Sequence, residues 1–218
     1  MSEKPRLDTT RLQKIAQAYW ESAALMAAVE LEIFTAIAHG HDTIAAAAKA
    51  AGISERNAER LLTALTAMTL LTREGDGEQG RFANAPDVQR FLVKDGERYA
   101  GPWILFTKPR WTAYGELGQR LRSTTENRLG AYESFTVDDA RRYHAATYSI
   151  GMGAARLFSR SVDLSGRKKM LDLGGGSGAY SIVATKTFPG PRRRSCSTCR
   201  RSRWWPANTS PPTRRATG

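Results

Sequence analysis

A glycine-rich segment at residues 168–178 constrains the fold of this chain more than any other part of its sequence. It reads Lys-Lys-Met-Leu-Asp-Leu-Gly-Gly-Gly-Ser-Gly, so a short apolar run containing Asp172 leads into four closely spaced glycines. An amphipathic segment over 179–188 follows directly. Because glycine has no Cβ and accepts backbone conformations that other residues avoid, this order predicts a strand, a tight turn and a helix. Doubly wound α/β folds bind nucleotide-like cofactors at such a turn after their first parallel strand.

The positive charge of the chain is concentrated at one end. The 218 residues carry a formal net charge of +12, but the last 28 residues hold eight Arg and no Asp, Glu or Lys. Outside that tail, 25 basic residues (33 less these eight) stand against 21 acidic ones, which is a net charge of +4. The charge therefore gives no reason to expect a nucleic-acid partner for the body of the chain.

Composition predicts a cytoplasmic protein with no membrane partner. No apolar run approaches the roughly 20 residues of a membrane span, and the N-terminal Met-Ser-Glu-Lys-Pro lacks the core of a signal peptide. Both cysteines, Cys196 and Cys199, lie in the tail, which fits a reducing compartment. Because no second cysteine pair or histidine lies near them to complete four zinc ligands, we expect no metal site.

The N-terminal part of the chain alternates helical patterns with turn signals. Apolar residues recur at helical spacing over 11–38 and cover more than one face, which favours burial against a second subunit. An alanine-rich helix over 44–51, a turn at 52–54, a further helix and a hairpin around Glu-Gly-Asp-Gly-Glu-Gln-Gly follow. This order is a winged-helix arrangement. We predict a winged-helix dimerisation domain over 10–93 and a homodimer formed through the N-terminal helices.

The rest of the chain is predicted to be helical up to the glycine segment. A helical connector is expected over 101–165, with a polar loop at 123–135 and a capping box formed by Thr136 and Asp139. Residues 166–190 would then contain a strand and a helix of a Rossmann-like domain. The predicted fold class is therefore mainly α, with a winged-helix dimerisation domain and the first strand and helix of an α/β domain.

The whole pattern resembles the class I S-adenosylmethionine-dependent O-methyltransferases that carry an N-terminal dimerisation domain. This group includes plant phenolic, hydroxyindole and bacterial polyketide O-methyltransferases. The resemblance covers about residues 11–190. It lies in Ala-Tyr-Trp-Glu-Ser-Ala-Ala-Leu with Ala-Val-Glu-Leu-Glu-Ile-Phe (18–34), in Gly-Ile-Ser-Glu-Arg-Asn-Ala-Glu-Arg-Leu-Leu (52–62) and in the glycine motif.

The resemblance implies a cofactor, a substrate class and a set of binding residues. The cofactor would be S-adenosylmethionine, and the substrate a small, aromatic, hydroxylated metabolite. Asp172 would serve the amino end of the methionine moiety. The glycines that allow close backbone approach would be Gly174, Gly176 and Gly178. The helix before the motif would contact the cofactor through Tyr143 and Ser149, although the family usually has Phe where Tyr143 stands.

The resemblance also implies a catalytic base that this sequence does not supply. A sulfonium is already a good methyl donor, so such an enzyme mainly aligns the acceptor oxygen behind the methyl carbon. The base that removes the hydroxyl proton is a histidine well downstream of the glycine motif in this family. We therefore assign no catalytic residue. The chain has three histidines, for which we expect structural or solvated roles: His39, His41 and His144.

A dinucleotide-binding oxidoreductase is one alternative to this interpretation. The run Gly174-x-Gly176-x-x-Ala179 satisfies a dinucleotide fingerprint. The acid two residues before the first glycine and the additional glycine at 178 favour the methyltransferase version instead.

A winged-helix DNA-binding regulator is an alternative of a different class. The second helix of the predicted winged helix begins with three side chains that could read a major groove: Arg56, Asn57 and Arg60. A regulator would not need the long apolar helix pair and a cofactor turn together, so the enzyme is favoured.

The tail over 191–218 does not match the rest of the sequence. It has no strand or helix periodicity and is enriched in Arg, Ser, Cys, Pro, Thr and Trp, so we expect it to be irregular. A GC-rich gene read out of frame gives this composition. With GC-rich codons, a shift of two nucleotides from Arg194 onward can read Val-Val-Leu-Asp-Leu-Pro, the second strand that the resemblance implies. We therefore hypothesise that the tail is out of frame and the chain a truncated, inactive product.

Overall fold

The structure is a computed structural model that describes residues 8–123, 136–189 and 193–197. Within these ranges the chain is mainly helical, with ten α-helices and four short strands. It divides into two compact units, Met1–Lys108 and Pro109–Gly218. No helix in the described ranges is long and apolar enough to cross a membrane.

The first unit consists of helices and one hairpin. In chain order its elements are α1 Thr10–Glu30, α2 Ile33–Ala38, α3 Ile44–Ala51, α4 Glu55–Ala67, β1 Leu71–Glu74, β2 Arg81–Asn84, α5 Pro86–Phe91 and α6 Gly101–Leu105. The N-cap hydroxyls of α3 and α4 belong to Thr43 and Ser54, which accept hydrogen bonds from Ala46 N (3.2 Å) and Asn57 N (3.3 Å). These caps satisfy backbone donors at the helix starts that the turn signals predicted.

A continuous apolar core holds the first unit together. Strands β1 and β2 pair in antiparallel register from Leu71↔Asn84 to Glu74↔Arg81. Asn84 Nδ2 donates to the backbone carbonyl of Phe34 (2.8 Å) and so ties the hairpin to α2. The largest fully buried side chains come from α2, α4, β1 and α5: Ile33, Phe34, Leu62, Leu65, Leu71 and Val88.

The second unit is built around one long helix. Its elements are α7 Trp111–Gly115, α8 Leu117–Arg122, α9 Val137–Ser161, β3 Lys169–Leu173, α10 Ala179–Thr187 and β4 Arg193–Ser197. The predicted capping box starts α9: Thr136 Oγ1 accepts from Asp139 N (3.1 Å), and Thr136 N donates to Asp139 Oδ2 (2.9 Å). This prediction is confirmed. Most of the predicted polar loop at 123–135 lies outside the described residues.

Helices α9 and α10 pack on each other through small side chains. Their shared core contains Met152 and Ala155 from α9 and Ala179 and Val183 from α10. A Cβ added at Gly151 would lie 3.3 Å from the Cβ of Ala179, so the two helices approach closely where α10 begins. The predicted strand before the glycines and the predicted helix after them are both present.

Strand β4 corrects one prediction about the tail. Residues 193–197 pair with β3 in parallel register, from Lys169↔Arg193 to Leu173↔Ser197, so the prediction that 191–218 is irregular is wrong over this stretch. The α/β part therefore contains more than a first strand and helix. The backbone groups of β3 require hydrogen-bond partners, and a parallel neighbour reached through α10 supplies them whatever the side-chain pattern of that neighbour. The remainder of the tail lies outside the described residues.

Candidate functional site

The glycine turn joins the end of β3 to the start of α10. Three of its residues adopt positive φ angles: Gly174 (71°), Gly176 (52°) and Gly178 (75°). The turn is closed by a hydrogen bond from Gly178 N to Gly175 O (2.7 Å). Left-handed backbone of this kind is strained for residues that carry a Cβ, so the sequence of glycines follows from the shape of the turn.

The space around the turn differs from one glycine to the next. A Cβ built at Gly174 or Gly178 would meet no atom of the described residues within 4 Å. At Gly176 it would lie 3.3 Å from Cε1 of His144 on α9. The turn therefore rests on α9 at its middle and is open at both ends, where a ligand can approach the backbone.

Asp172 lies at the end of β3, two residues before the first glycine of the turn. Its side chain is half-buried and accepts a hydrogen bond at Oδ2 from the hydroxyl of Ser181 on α10 (2.9 Å). Within the described ranges, Oδ1 accepts no hydrogen bond from a side chain. One carboxylate oxygen is thus held by the protein, and the other remains available for a cationic or hydrogen-bond-donating ligand.

His144 is the residue of α9 that supports the turn. It is 4% exposed, and burial lowers the pKa of its imidazole below the ordinary value of 6.5. Its ring also meets the ring of Tyr143 edge-on, with centroids 5.5 Å apart. Of the two roles expected for the histidines, structural or solvated, the structure gives His144 the structural one.

The contact between His144 and the turn is a feature that sequence reasoning missed. The spacing of buried and half-buried residues along α9 could have indicated it, because they recur every three or four positions on the face toward α10. These residues are His144, Tyr148, Met152, Ala155 and Ser159.

Tyr143 and Ser149 both lie on α9, about one and a half helical turns apart. Tyr143 is 37% exposed and borders the supporting histidine. Ser149 has a buried hydroxyl that makes no hydrogen bond to any described residue. A buried hydroxyl without a partner is uncommon, and a polar group of a ligand bound beside Ser149 would satisfy it. The proposed cofactor contacts of both residues stay predictions.

The remaining candidate residues lie elsewhere in the chain. His39 Nε2 lies 3.3 Å from Asp95 Oδ2, with both side chains more than half exposed, and His41 is exposed. No group of three metal-ligating side chains occurs among the described residues. The three candidate groove-reading side chains of α4 are exposed: Arg56, Asn57 and Arg60.

Comparison with known proteins relates the chain to O-methyltransferases. The profile of the O-methyltransferase dimerisation domain matches residues 13–94. A 3-hydroxy-5-methyl-1-naphthoate 3-O-methyltransferase of Streptomyces sahachiroi is 32% identical over 190 residues, which are 83% of this chain and 52% of that enzyme. Residues 13–94 thus match an O-methyltransferase dimerisation domain, and most of the chain is similar to an O-methyltransferase. A tetracenomycin polyketide synthesis 8-O-methyl transferase of Streptomyces glaucescens is 28% identical over 181 residues, 81% of this chain and 52% of the relative.

Solved O-methyltransferase structures share the fold. Human N-acetylserotonin methyltransferase, in complex with S-adenosylmethionine, superposes with a TM-score of 0.72 at 20% identity, covering 90% of this chain and 60% of that one. An O-methyltransferase family protein from Burkholderia thailandensis gives a TM-score of 0.64 at 26% identity, covering 88% and 57%. This chain spans about half the length of the curated relatives it matches.

Proposed function

We propose that this chain carries the dimerisation domain and the cofactor turn of an S-adenosylmethionine-dependent O-methyltransferase that acts on a small aromatic hydroxylated metabolite. The observation that carries the proposal is the open glycine turn beside Asp172, with one carboxylate oxygen held and the other available. Relatives named for a naphthoate and for a tetracenomycin polyketide support an aromatic acceptor.

The proposed domain organisation follows the same comparison. Helices α3 and α4 with the hairpin β1–β2 support a winged helix over 10–93, and α6–α9 support a helical connector over 101–165. The β3–α10–β4 unit supports a Rossmann-like segment that starts near 166 and extends through β4 rather than ending at 190. The crossover through a helix to a parallel neighbour is the repeating unit of such folds.

The residues at the turn fit the chemistry of S-adenosylmethionine. The methionine end of this cofactor carries an ammonium group, which suits the available oxygen of Asp172. The absence of side chains at Gly174 and Gly178 lets the ligand lie directly on the backbone. The buried hydroxyl of Ser149 could satisfy a polar group of the ligand.

When bound, the cofactor supplies a methyl group activated by its positively charged sulfur. The chain's own contribution is then to hold and orient the donor, which lowers the entropic part of the barrier once an acceptor oxygen is aligned. We assign no general base. His144 is buried beneath Gly176, so its imidazole serves packing.

We further propose that the chain forms a homodimer through α1. Four large apolar side chains of α1 are more than half exposed, although their spacing places them along one side of the helix: Leu12, Ile15, Tyr19 and Trp20. The match to a dimerisation domain over 13–94 supports burial of this surface in a partner. Light scattering is expected to give a dimer, and Ile15→Lys to shift it toward a monomer. A monomeric wild-type chain contradicts this part of the proposal.

Calorimetric titration of the 218-residue chain tests the cofactor assignment. We expect saturable binding of S-adenosylmethionine, and a dissociation constant for Asp172→Asn at least about 10-fold higher because a charge-assisted hydrogen bond is lost. Asp138→Asn is the matched control, since this acid is exposed and pairs only with Arg141 in the described ranges. Tighter binding of NAD than of S-adenosylmethionine would favour the oxidoreductase alternative.

The acceptor atom and the activity of the chain itself are separate questions. One relative, 29% identical over 197 residues, is an N,N-dimethyltransferase of Streptomyces rimosus, so hydroxylated and amino-substituted aromatic acceptors should be assayed side by side. The hypothesis that the 218-residue chain is inactive stays a prediction, which the same methyl-transfer assay tests.

A further inference from the structure

The hydroxyl of Ser181 on α10 donates a hydrogen bond to a residue of strand β3. Ser181 lies in the first turn of α10 and donates to Oδ2 of Asp172 on β3 (2.9 Å) in a partly buried setting. This hydrogen bond spans nine residues of sequence and crosses the glycine turn. It is therefore a tertiary contact at the candidate site and not a local feature of the helix.

Three threonine hydroxyls in helices of the chain behave differently. Those of Thr66, Thr147 and Thr185 each donate to the carbonyl four residues earlier in the same helix, at 2.8, 2.9 and 2.6 Å. That back-bond is the usual arrangement for Ser and Thr within helices. The hydroxyl of Ser181 instead donates to the carboxylate of Asp172. A carboxylate oxygen is a stronger acceptor than a carbonyl oxygen, and this one lies next to the cofactor turn.

The pattern of burial along β3 shows why this contact matters for Asp172. Met170 and Asp172 are half-buried on one face of the strand, whereas Leu171 and Leu173 are exposed on the other. The carboxylate thus lies on the face toward α10. The terminal torsion of an Asp side chain is broad, so without a partner its two oxygens would interchange freely.

We propose that Ser181 is a positioning residue for the cofactor. Its hydroxyl fixes Oδ2 of Asp172, so that Oδ1 is presented to the ammonium group of S-adenosylmethionine. This inference rests on the proposed function. It predicts that Ser181 contributes to affinity only through Asp172, because a carboxylate that is already oriented loses less conformational freedom when the ligand binds.

A double-mutant cycle tests the inference on the 218-residue chain. S-adenosylhomocysteine is the probe, since it has the same amino end and is not consumed, and calorimetry gives its dissociation constant. We expect Ser181→Ala to raise the constant about 5- to 10-fold and Ser181→Thr, which keeps the hydroxyl, to stay within about 2-fold of wild type. In an Asp172→Asn background, Ser181→Ala should change the constant by less than about 2-fold.

The controls separate positioning from a structural role. Thr185→Val removes a hydroxyl one turn further along α10 that bonds only within the helix, and it should leave affinity unchanged. Thermal midpoints of all variants show whether a loss of affinity results from a loss of folding. A Ser181→Thr variant that folds but binds as weakly as Ser181→Ala overturns the inference.

The possible failures are distinguishable. If wild type binds and Ser181→Ala binds equally well, the inference fails and the proposed function stands. An equal effect of Ser181→Ala with and without the Asp172 carboxylate also overturns it. If wild type shows no binding of S-adenosylhomocysteine, the proposed function and this inference fail together.

Discussion

The two units of the chain differ in the size of their apolar cores. The first unit buries large aliphatic and aromatic residues such as Phe34, Leu62 and Leu65 in one continuous core. The second has a small core of Met152, Val183 and two alanines, beside a turn made of glycines. Because stability scales with apolar area removed from water, the first unit is built to fold on its own contacts, whereas the second leaves an open surface for a ligand.

The largest effect should come from the core of the first unit. Leu62→Ala removes a fully buried side chain, and we expect it to lower the free energy of unfolding of this unit by about 3 kcal/mol. Leu157→Ala is the matched control, because this leucine is 66% exposed on α9 and should change stability by no more than about 0.5 kcal/mol. Denaturant titration followed by circular dichroism measures both; equal effects would contradict the contrast between core and surface.

An intermediate effect is expected at the turn of the second unit. Gly176→Ala places a Cβ on backbone with φ 52° and 3.3 Å from His144, so it should destabilise this unit by about 1–2 kcal/mol. Gly153→Ala is the control with the opposite sign. This glycine lies within α9, and a Cβ added there would meet no atom of the described part of the chain within 4 Å, so alanine should stabilise by about 0.5–1 kcal/mol. A stabilising Gly176→Ala would show that the turn does not have this conformation.

The segments that were predicted correctly show which features the sequence alone could predict. Strand β3, the glycine turn and α10 were predictable because an apolar run, glycines and an amphipathic segment each have one favoured local structure. The same holds for the capping box of α9, where Thr136 and Asp139 interact over three residues. These predictions depend on neighbours in sequence, and the structure confirms them.

The features that sequence reasoning missed all depend on partners distant in the chain. Strand β4 was missed because its pairing with β3 rests on backbone hydrogen bonds and not on a side-chain pattern. The support of Gly176 by His144 and the bond from Ser181 to Asp172 arise only when α9, α10 and β3 are brought together. Local sequence carries little information about such contacts.

The smallest effect should be a dependence of stability on pH in the second unit. Burial lowers the pKa of His144 in the folded state, so the unfolded chain binds more protons between that lowered value and about 6.5. Stability of the second unit should therefore fall as the pH drops through this window, and level off below it. His144→Asn removes the titrating group and should flatten this part of the pH profile. A profile unchanged by the substitution would contradict the burial of His144 beneath the turn.

Hydrogen–deuterium exchange with and without S-adenosylhomocysteine is the most direct test of the cofactor site at the glycine turn, because it reports on both units at once. We expect bound ligand to slow exchange at the glycine turn and the start of α10, over residues 172–181, and along α9 near Ser149. We expect no ligand-induced change in the hairpin β1–β2 or in α4. Protection confined to the first unit, or no protection at the turn at saturating ligand, would contradict the assignment of the cofactor site.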